Sequence, residues 1–218
     1  MLKLIAFDLD GTILDTIYDL HASLNYVLKK YDLETVELSE AKNNIGNGIK
    51  NLVLRSLKGK KEELIDDVYK DFMDYYKVNY AVYTKPYDGI YRVLDFLKSE
   101  DIILGVITNK NEEIAKNLIK HFFNGYFDFV IGDNDMKRKP NPEKMDWVIN
   151  NYNVLPEEIL YVGDSNVDFD FVSNSKVNGA YLSYGYRPKL LLKEIGATPI
   201  FDDAYSLLEH LIIIYNEN

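Results

Sequence analysis

The spacing of hydrophobic residues changes near the start of the chain. The segment Leu2–Leu9 is a short, mostly continuous apolar run, which predicts a strand buried in a parallel sheet rather than an amphipathic helix. From residue 16 to residue 83 the apolar residues instead recur every three or four positions, a spacing typical of helices that bury one face. We therefore expect one strand followed by an all-helical segment.

After residue 84 short apolar runs alternate with helical spacing. This alternation predicts a parallel sheet with helices on both faces. We expect a Rossmann-like α/β core formed by residues 1–15 and 84–218, with residues 16–83 inserted into it as an all-helical cap domain. The expected strands of the resumed core are Ile102–Ile107, Phe129–Ile131, Ile159–Val162, Ala180–Leu182 and Pro199–Phe201, and the expected closing helix is Ala204–Tyr215.

Composition narrows the classes of partner. The 218 residues carry a formal net charge of −10, which argues against nucleic acid or an anionic membrane as a partner, since both attract basic patches. The chain has no cysteine, so it has neither a disulfide nor a thiolate nucleophile and suits a reducing cytoplasm. With no signal-peptide pattern and no membrane-length apolar run, we expect a cytoplasmic protein. Both a monomer and a homodimer remain open.

Three of the predicted strands end in polar residues. Asp8 and Asp10 close the first run, Thr108 and Asn109 close the second core strand, and Asp164 closes a later one. In an open parallel sheet, ligands bind outside the carboxyl ends of the strands. We therefore expect these side chains to form a ligand site.

Four carboxylates at this edge would need a cation. Asp8, Asp10, Asp164 and Asp168 would repel one another if they were crowded together, and each would raise the pKa of its neighbours. Mg²⁺ removes that problem because it takes oxygen ligands and keeps water molecules that a phosphate can replace. The acidic set therefore predicts a magnesium site.

Other polar groups in the same set suit a phosphate. The hydroxyl of Thr108, the amide of Asn109 and the ammonium of Lys139 match phosphate oxygens, and backbone N–H groups in the tight turn at Gly11 add donors. Carboxylates, a divalent metal and phosphate donors together indicate phosphoryl transfer. In that hypothesis Asp8 is the nucleophile and Asp10 the general acid and base.

The ordered motifs resemble those of the haloacid dehalogenase superfamily, and specifically its phosphatases. The matching segments, in chain order, are FDLDGTILDT, VITNK, KRKPNPE and VGDSNVD. The resemblance implies an aspartyl-phosphate on Asp8, acid–base chemistry at Asp10, and Mg²⁺ bound by Asp8, by the backbone carbonyl of Asp10 and by Asp164, with Asp168 in support. It assigns phosphate contacts to Thr108 and Lys139.

The helical insertion carries a second, shorter resemblance. The segment IGNGIKNLVLRSL looks like the corresponding part of phosphoglycolate phosphatases, where a Gly-x-Gly turn precedes an apolar helix with an arginine. This likeness makes five residues candidates for recognising the leaving group of the substrate: Gly46, Asn47, Gly48, Lys50 and Arg55.

Several functions remain compatible with these motifs. The first is a Mg²⁺-dependent phosphatase for a small phosphorylated metabolite, with 2-phosphoglycolate as the leading substrate. The aspartate at position 10 favours a phosphatase or a phosphomutase over other members of the superfamily, because the related transport ATPases carry Thr at that position and the dehalogenases an aromatic residue. A sugar phosphomutase, a pyrophosphatase and a 5′-nucleotidase stay open, and so does a binding protein that keeps the fold without the chemistry.

Overall fold

The computed structural model describes residues 1–45, 48–59 and 61–216. The strands are β1 (Leu4–Phe7), β2 (Leu14–Asp15), β3 (Lys85–Pro86), β4 (Ile103–Asn111), β5 (Phe129–Asp133), β6 (Ile159–Gly163), β7 (Asn178–Leu182) and β8 (Ile200–Phe201). The helices are α1 (Ile17–Lys30), α2 (Leu38–Asn44), α3 (Ile49–Ser56), α4 (Ile65–Asn79), α5 (Ile90–Ser99), α6 (Glu112–Phe122), α7 (Glu143–Tyr152), α8 (Asn166–Ser175), α9 (Lys189–Glu194) and α10 (Ala204–Asn216), with short 3-10 helices at Glu62–Leu64 and Pro156–Glu158. Across these ranges, no helix is both long and apolar enough to cross a membrane.

A six-stranded sheet organises the larger part of the described chain. Its strand order is β5-β4-β1-β6-β7-β8, and every neighbouring pair is parallel. Strand β1 lies in the middle, with Leu4 opposite Ile103 on one side and Ile159 on the other. The carboxyl ends of β4, β1 and β6 therefore meet at one edge of the sheet, and the predicted α/β fold with a parallel sheet is confirmed.

The central strand shows why its sequence is apolar without alternation. All four residues of β1 are completely buried, as expected for a parallel strand covered by helices on both faces. The strand is shorter than the predicted Leu2–Leu9 because the chain turns directly after it. The carbonyl oxygen of Leu9 accepts hydrogen bonds from the amides of Thr12, Ile13 and Leu14, which closes a tight turn.

Strand β4 continues further than its apolar run predicts. The register of the β4–β5 pair shifts between Ile107 and Asn111, and Asn111 still lies opposite Asp133. This irregularity lets the polar residues 108–111 remain in the strand. The prediction that the strand ends at Ile107 is therefore wrong.

Contacts divide the chain into two compact units, one formed by Met1–Leu14 with Pro86–Asn218 and the other by Asp15–Lys85. Within the second unit, α1 packs against α4 through buried apolar faces. Asp19 of α1 is buried, and its carboxylate accepts hydrogen bonds from the backbone amides of Tyr83 and Thr84 and from the Thr84 hydroxyl. These bonds anchor the end of the helical unit to its first helix.

Candidate active site

Three predicted metal ligands converge at the carboxyl edge of the sheet. Asp8 follows β1, Asp164 follows β6, and Asp168 lies in the first turn of α8. One carboxylate oxygen from each residue lies within 4.8 Å of the others. The backbone amide of Asp8 donates to the Val162 carbonyl oxygen at 2.9 Å, which fixes the relative position of the two strand ends.

Lys139 lies against this acidic cluster. Its side chain is only 2% exposed, and its Nζ atom is 2.9 Å from Asp8 Oδ1 and 2.7 Å from Asp168 Oδ1. Nζ also donates a hydrogen bond to the Tyr161 hydroxyl at 2.6 Å. Burial alone would lower the pKa of the Lys139 ammonium, but the carboxylates of Asp168 and Asp8 raise it above its ordinary value. Lys139 is therefore a protonated cation beside the predicted nucleophile.

The three carboxylates experience different environments. Burial raises the pKa of Asp8 to about 6, although the charge of Lys139 opposes that shift. Burial, followed by the charges of Asp168 and Asp8, raises the pKa of Asp164 to about 8. Burial also acts to raise the pKa of Asp168. The charge of Lys139, and the hydrogen bonds that Asp168 accepts from Lys139, Ser165 and Tyr161, outweigh burial and lower this pKa. Two buried carboxyl groups of this cluster are thus costly to ionise without a further cation.

Asp168 holds the loop that carries Asp164. The backbone amides of Asp164 and Ser165 donate to Asp168 Oδ2 at 3.2 and 3.1 Å, and the Ser165 hydroxyl donates to the same oxygen at 2.6 Å. The Asp168 amide returns a hydrogen bond to Ser165 Oγ, so the pair forms a capping box at the start of α8. Asp168 therefore orients the loop through one oxygen and contacts Lys139 through the other.

Two glycines allow the Asp164 side chain to fit where it does. A Cβ atom at Gly11 would lie 2.5 Å from Asp164 Oδ2, and Gly11 has a φ of +88°, in the left-handed region that favours glycine. A Cβ atom at Gly185 would lie 2.4 Å from the same oxygen. The Thr12 hydroxyl and the Tyr186 amide donate to Asp164 at 3.1 and 2.6 Å.

The segment 108–110 carries two of the predicted phosphate contacts, Thr108 and Asn109. Thr108 is 2% exposed, and its carbonyl oxygen accepts a hydrogen bond from Lys144 Nζ at 3.0 Å. Burial, followed by the charge of Lys139, lowers the pKa of the Lys144 ammonium to about 8. The amide of Asn109 is bonded to the backbone of Lys139, donating to its carbonyl oxygen at 2.9 Å and accepting from its N–H at 2.8 Å. Asn109 therefore ties the loop of Lys139 to β4.

The predicted acid–base residue has a partner that sequence reasoning missed. Asp10 contributes no carboxylate oxygen to the three-carboxylate group. Instead, Lys110 Nζ lies 2.9 Å from Asp10 Oδ1 and 3.2 Å from Oδ2. The Lys110 side chain is 1% exposed and that of Asp10 is 15% exposed.

The remaining candidates belong to the helical unit. Gly48 precedes α3 with a φ of +84°, Lys50 pairs with Asp66 at 2.6 Å on the surface, and Arg55 donates to the Asn44 carbonyl oxygen. The candidates Gly46 and Asn47 lie outside the described residues.

Comparisons with known proteins show the family of the chain. A family model described as haloacid dehalogenase-like hydrolase matches residues 5–181. The chain belongs to the haloacid dehalogenase-like hydrolase family. The resemblance carried by the four ordered motifs is thereby confirmed.

Named relatives of this haloacid dehalogenase-like hydrolase cover most of its length. A phosphoglycolate phosphatase of Aquifex aeolicus (strain VF5) is 34% identical over 187 residues, which is 85% of this chain and 86% of the relative. A phosphoglycolate phosphatase of Psychrobacter arcticus is 29% identical over 99% of this chain and 98% of the relative. A solved structure of a predicted phosphoglycolate phosphatase from Haemophilus somnus 129pt superposes with a TM-score of 0.90 at 27% identity, covering 96% of this chain and 98% of that one.

Some residues of the haloacid dehalogenase-like hydrolase site could not be selected from local pattern. Gly185 and Tyr186 lie in a loop after β7 and reach Asp164 only through the fold. Lys110 had an available signal, because it lies two residues after Thr108 and so on the same face of a strand that continues past Ile107.

Proposed function

We propose that this haloacid dehalogenase-like hydrolase is a Mg²⁺-dependent phosphatase of small phosphomonoesters, with 2-phosphoglycolate as the first substrate to test. The observation that carries the proposal is the convergence of Asp8, Asp164 and Asp168 with the buried cation of Lys139. In this site a carboxylate nucleophile, Asp8, lies beside a positive charge, Lys139, that can bind a phosphate. The names of the phosphoglycolate phosphatase relatives support the choice of substrate.

The donor set fits a magnesium ion. Asp8 and Asp164 supply hard oxygen ligands in a group of three carboxylates that lie within 4.8 Å of one another, and a divalent cation would relieve the cost of ionising them in a buried site. We assign its binding to Asp8, Asp164 and the backbone carbonyl of Asp10, with Asp168 supporting the Asp164 loop. When bound, Mg²⁺ would stabilise negative charge on the phosphoryl group being transferred.

In the first half-reaction the Asp8 carboxylate attacks phosphorus. A bond forms between an Asp8 oxygen and phosphorus, and the ester P–O bond breaks, so that its electron pair leaves with the departing oxygen. The Asp10 carboxyl group donates its proton to that oxygen and releases an alcohol. Lys139, together with Thr108, would hold the phosphoryl oxygens during the transfer.

In the second half-reaction water restores the enzyme. The Asp10 carboxylate accepts a proton from water, the water oxygen bonds to phosphorus, and the bond between phosphorus and Asp8 breaks. Inorganic phosphate leaves, Asp8 is again a carboxylate and Asp10 is again protonated. The two steps together consume one ester and one water and produce one alcohol and one phosphate.

We further propose that residues 16–83 act as the cap domain of this enzyme and that residues 1–15 and 84–218 form its catalytic core. In this proposal the helical insertion supplies substrate selectivity, with Gly48 and Lys50 as candidate contacts to the leaving group. A cap that closes during the first half-reaction would exclude water from the aspartyl-phosphate.

The test is phosphate release from a panel of phosphomonoesters. The panel contains 2-phosphoglycolate, sugar phosphates, nucleoside monophosphates and pyrophosphate, each assayed with Mg²⁺ and with EDTA. We expect Mg²⁺-dependent release that is lost in Asp8→Asn and kept in Asp170→Asn, a matched change at an exposed residue of α8. Full activity of Asp8→Asn would refute the nucleophile, and isomerised sugar phosphate without released phosphate would identify a phosphomutase instead.

A further inference from the structure

The ion pair between Lys110 and Asp10 is not explained by the steps above. Lys110 is almost fully buried, yet its Nζ atom contacts both carboxylate oxygens of Asp10 at 2.9 and 3.2 Å. A buried ammonium is costly unless it is paired, and removing one partner of such a pair is strongly unfavourable. The contact between Lys110 and Asp10 is therefore a buried part of the site rather than a surface ion pair.

The backbone around Asp10 is fixed independently of this contact. Asp10 forms a bridge with Leu14, and the amide of Gly11 donates to the Leu14 carbonyl oxygen at 2.9 Å. With the main chain held by that turn, the direction of the Asp10 carboxyl group depends on what its oxygens contact. A cation in contact with both oxygens restricts rotation of the carboxyl group more than a single hydrogen bond would.

The position of Lys110 is set by the strand that carries a predicted phosphate contact. Lys110 lies in β4, and its backbone amide donates to Thr108 Oγ1 at 3.2 Å. One segment of β4 thus carries Thr108 toward the phosphate site and the partner of Asp10 two residues later. Movement of this segment would displace both groups together.

We infer that Lys110 is a positioning residue that holds the Asp10 carboxyl group where it can exchange a proton with the leaving oxygen. This inference rests on the proposed function, because it assumes acid–base chemistry at Asp10. Lys110 acts through Asp10, whose carboxyl oxygens it contacts, and we assign it no contact with the substrate. Its effect is confined to the steps in which Asp10 gives or takes a proton. A small misplacement of the Asp10 carboxyl group can slow those steps by about 100-fold.

A comparison of leaving groups tests this role. The value of kcat/KM reports the steps up to cleavage of the ester bond, and 4-nitrophenyl phosphate releases a stable anion that needs no proton at that point. Two alkyl esters, 2-phosphoglycolate and glycerol 2-phosphate, release poor leaving groups and depend on the general acid. The ratio of the alkyl to the aryl kcat/KM therefore measures how well Asp10 is positioned.

We expect Lys110→Met to lower this ratio by about 10-fold or more for both alkyl esters, in the same direction as Asp10→Asn. Lys144→Met is the matched control, because Lys144 is an equally buried lysine that contacts the Thr108 carbonyl instead of Asp10. Its ratio should stay within about 3-fold of the wild-type value, far below the roughly 100-fold or more that general acid catalysis typically contributes. Retained aryl activity shows that the Lys110 variant is folded, and Lys110→Gln is used if Lys110→Met is insoluble.

Two results would overturn the inference. One is an unchanged alkyl-to-aryl ratio in the Lys110 variants while Asp10→Asn lowers it. The other is a loss confined to 2-phosphoglycolate, because that would make Lys110 a contact for the substrate carboxylate. Failure of the proposed function is distinguishable, since Asp8→Asn would then retain activity toward the aryl ester.

Discussion

Replacing Asp164 with Asn would remove one negative charge from the buried cluster that also contains Asp8 and Asp168. Burial and the two neighbouring charges raise the pKa of Asp164 from its ordinary value of 3.8 to about 8. The folded protein therefore binds more protons than the unfolded chain between about pH 4 and pH 8, and this group lowers stability as the pH rises through that range. Asn carries no such penalty at any pH.

The size of the change in stability follows from the shift in the pKa of Asp164. At pH 7 the ionisation penalty of Asp164 amounts to about 4 kcal/mol, and at pH 5 to about 2 kcal/mol, because each pKa unit corresponds to about 1.4 kcal/mol. Asn keeps only one acceptor oxygen, so the donor from Thr12 or from the Tyr186 amide loses its partner at a cost of about 1–3 kcal/mol. The variant should thus be more stable than the wild type at pH 7 and nearly equal to it at pH 5.

Urea unfolding in EDTA at pH 5 and pH 7 measures this difference. We expect the free energy of unfolding of Asp164→Asn, relative to wild type, to increase by about 2–3 kcal/mol between pH 5 and pH 7. Adding Mg²⁺ at pH 7 should stabilise the wild type and have little effect on the variant, because a ligand stabilises only the state that binds it. Equal stability differences at both pH values, or equal Mg²⁺ stabilisation of both proteins, would refute the reasoning.

Three further substitutions test separate parts of the account. Gly11→Ala places a Cβ atom against Asp164 at a positive φ, so we expect the free energy of unfolding to fall by about 1–3 kcal/mol, and an unchanged urea midpoint would count against it. Tyr161→Phe removes the buried hydroxyl that contacts Lys139, so phosphatase activity should fall while circular dichroism stays the same. Asp19→Ala leaves buried backbone amides unpaired, so hydrogen exchange should quicken across α1 and α4, and unaltered protection would contradict the anchoring role.

Many elements of the α/β core could be predicted from the sequence, because the patterns that mark them are local. A fully buried parallel strand must be apolar on both faces, which made β1 recognisable, and the polar residues after β1 and β6 had to meet at one edge once the strands were parallel. Asp8, Asp164 and Lys139 could be selected because each lies in a short motif of its own. The strand boundaries could not be predicted in the same way, because a strand such as β4 can continue through polar residues when it shifts register.

The residues that pack around Asp164 could not be predicted, because they reach this aspartate through contacts between distant parts of the chain. Thr12 and Asp164 are 152 positions apart, and nothing in either local sequence predicts their hydrogen bond. The requirement for glycine at position 185 likewise comes from the space that the Asp164 side chain needs. Lys110 was overlooked for a different reason, since the strand was expected to end before it.

The most direct measurement of the central claim uses Asp10→Asn with 4-nitrophenyl phosphate and Mg²⁺. This substrate releases its anion without an acid, but the second half-reaction then lacks its base, so a phosphorylated enzyme should accumulate. We expect a burst of about one nitrophenol per chain, with the phosphoryl group located on Asp8 by peptide mass mapping. The double variant Asp8→Asn/Asp10→Asn should show neither the burst nor the phosphoryl group. Turnover without a burst, or a phosphoryl group on another residue, would contradict this expectation.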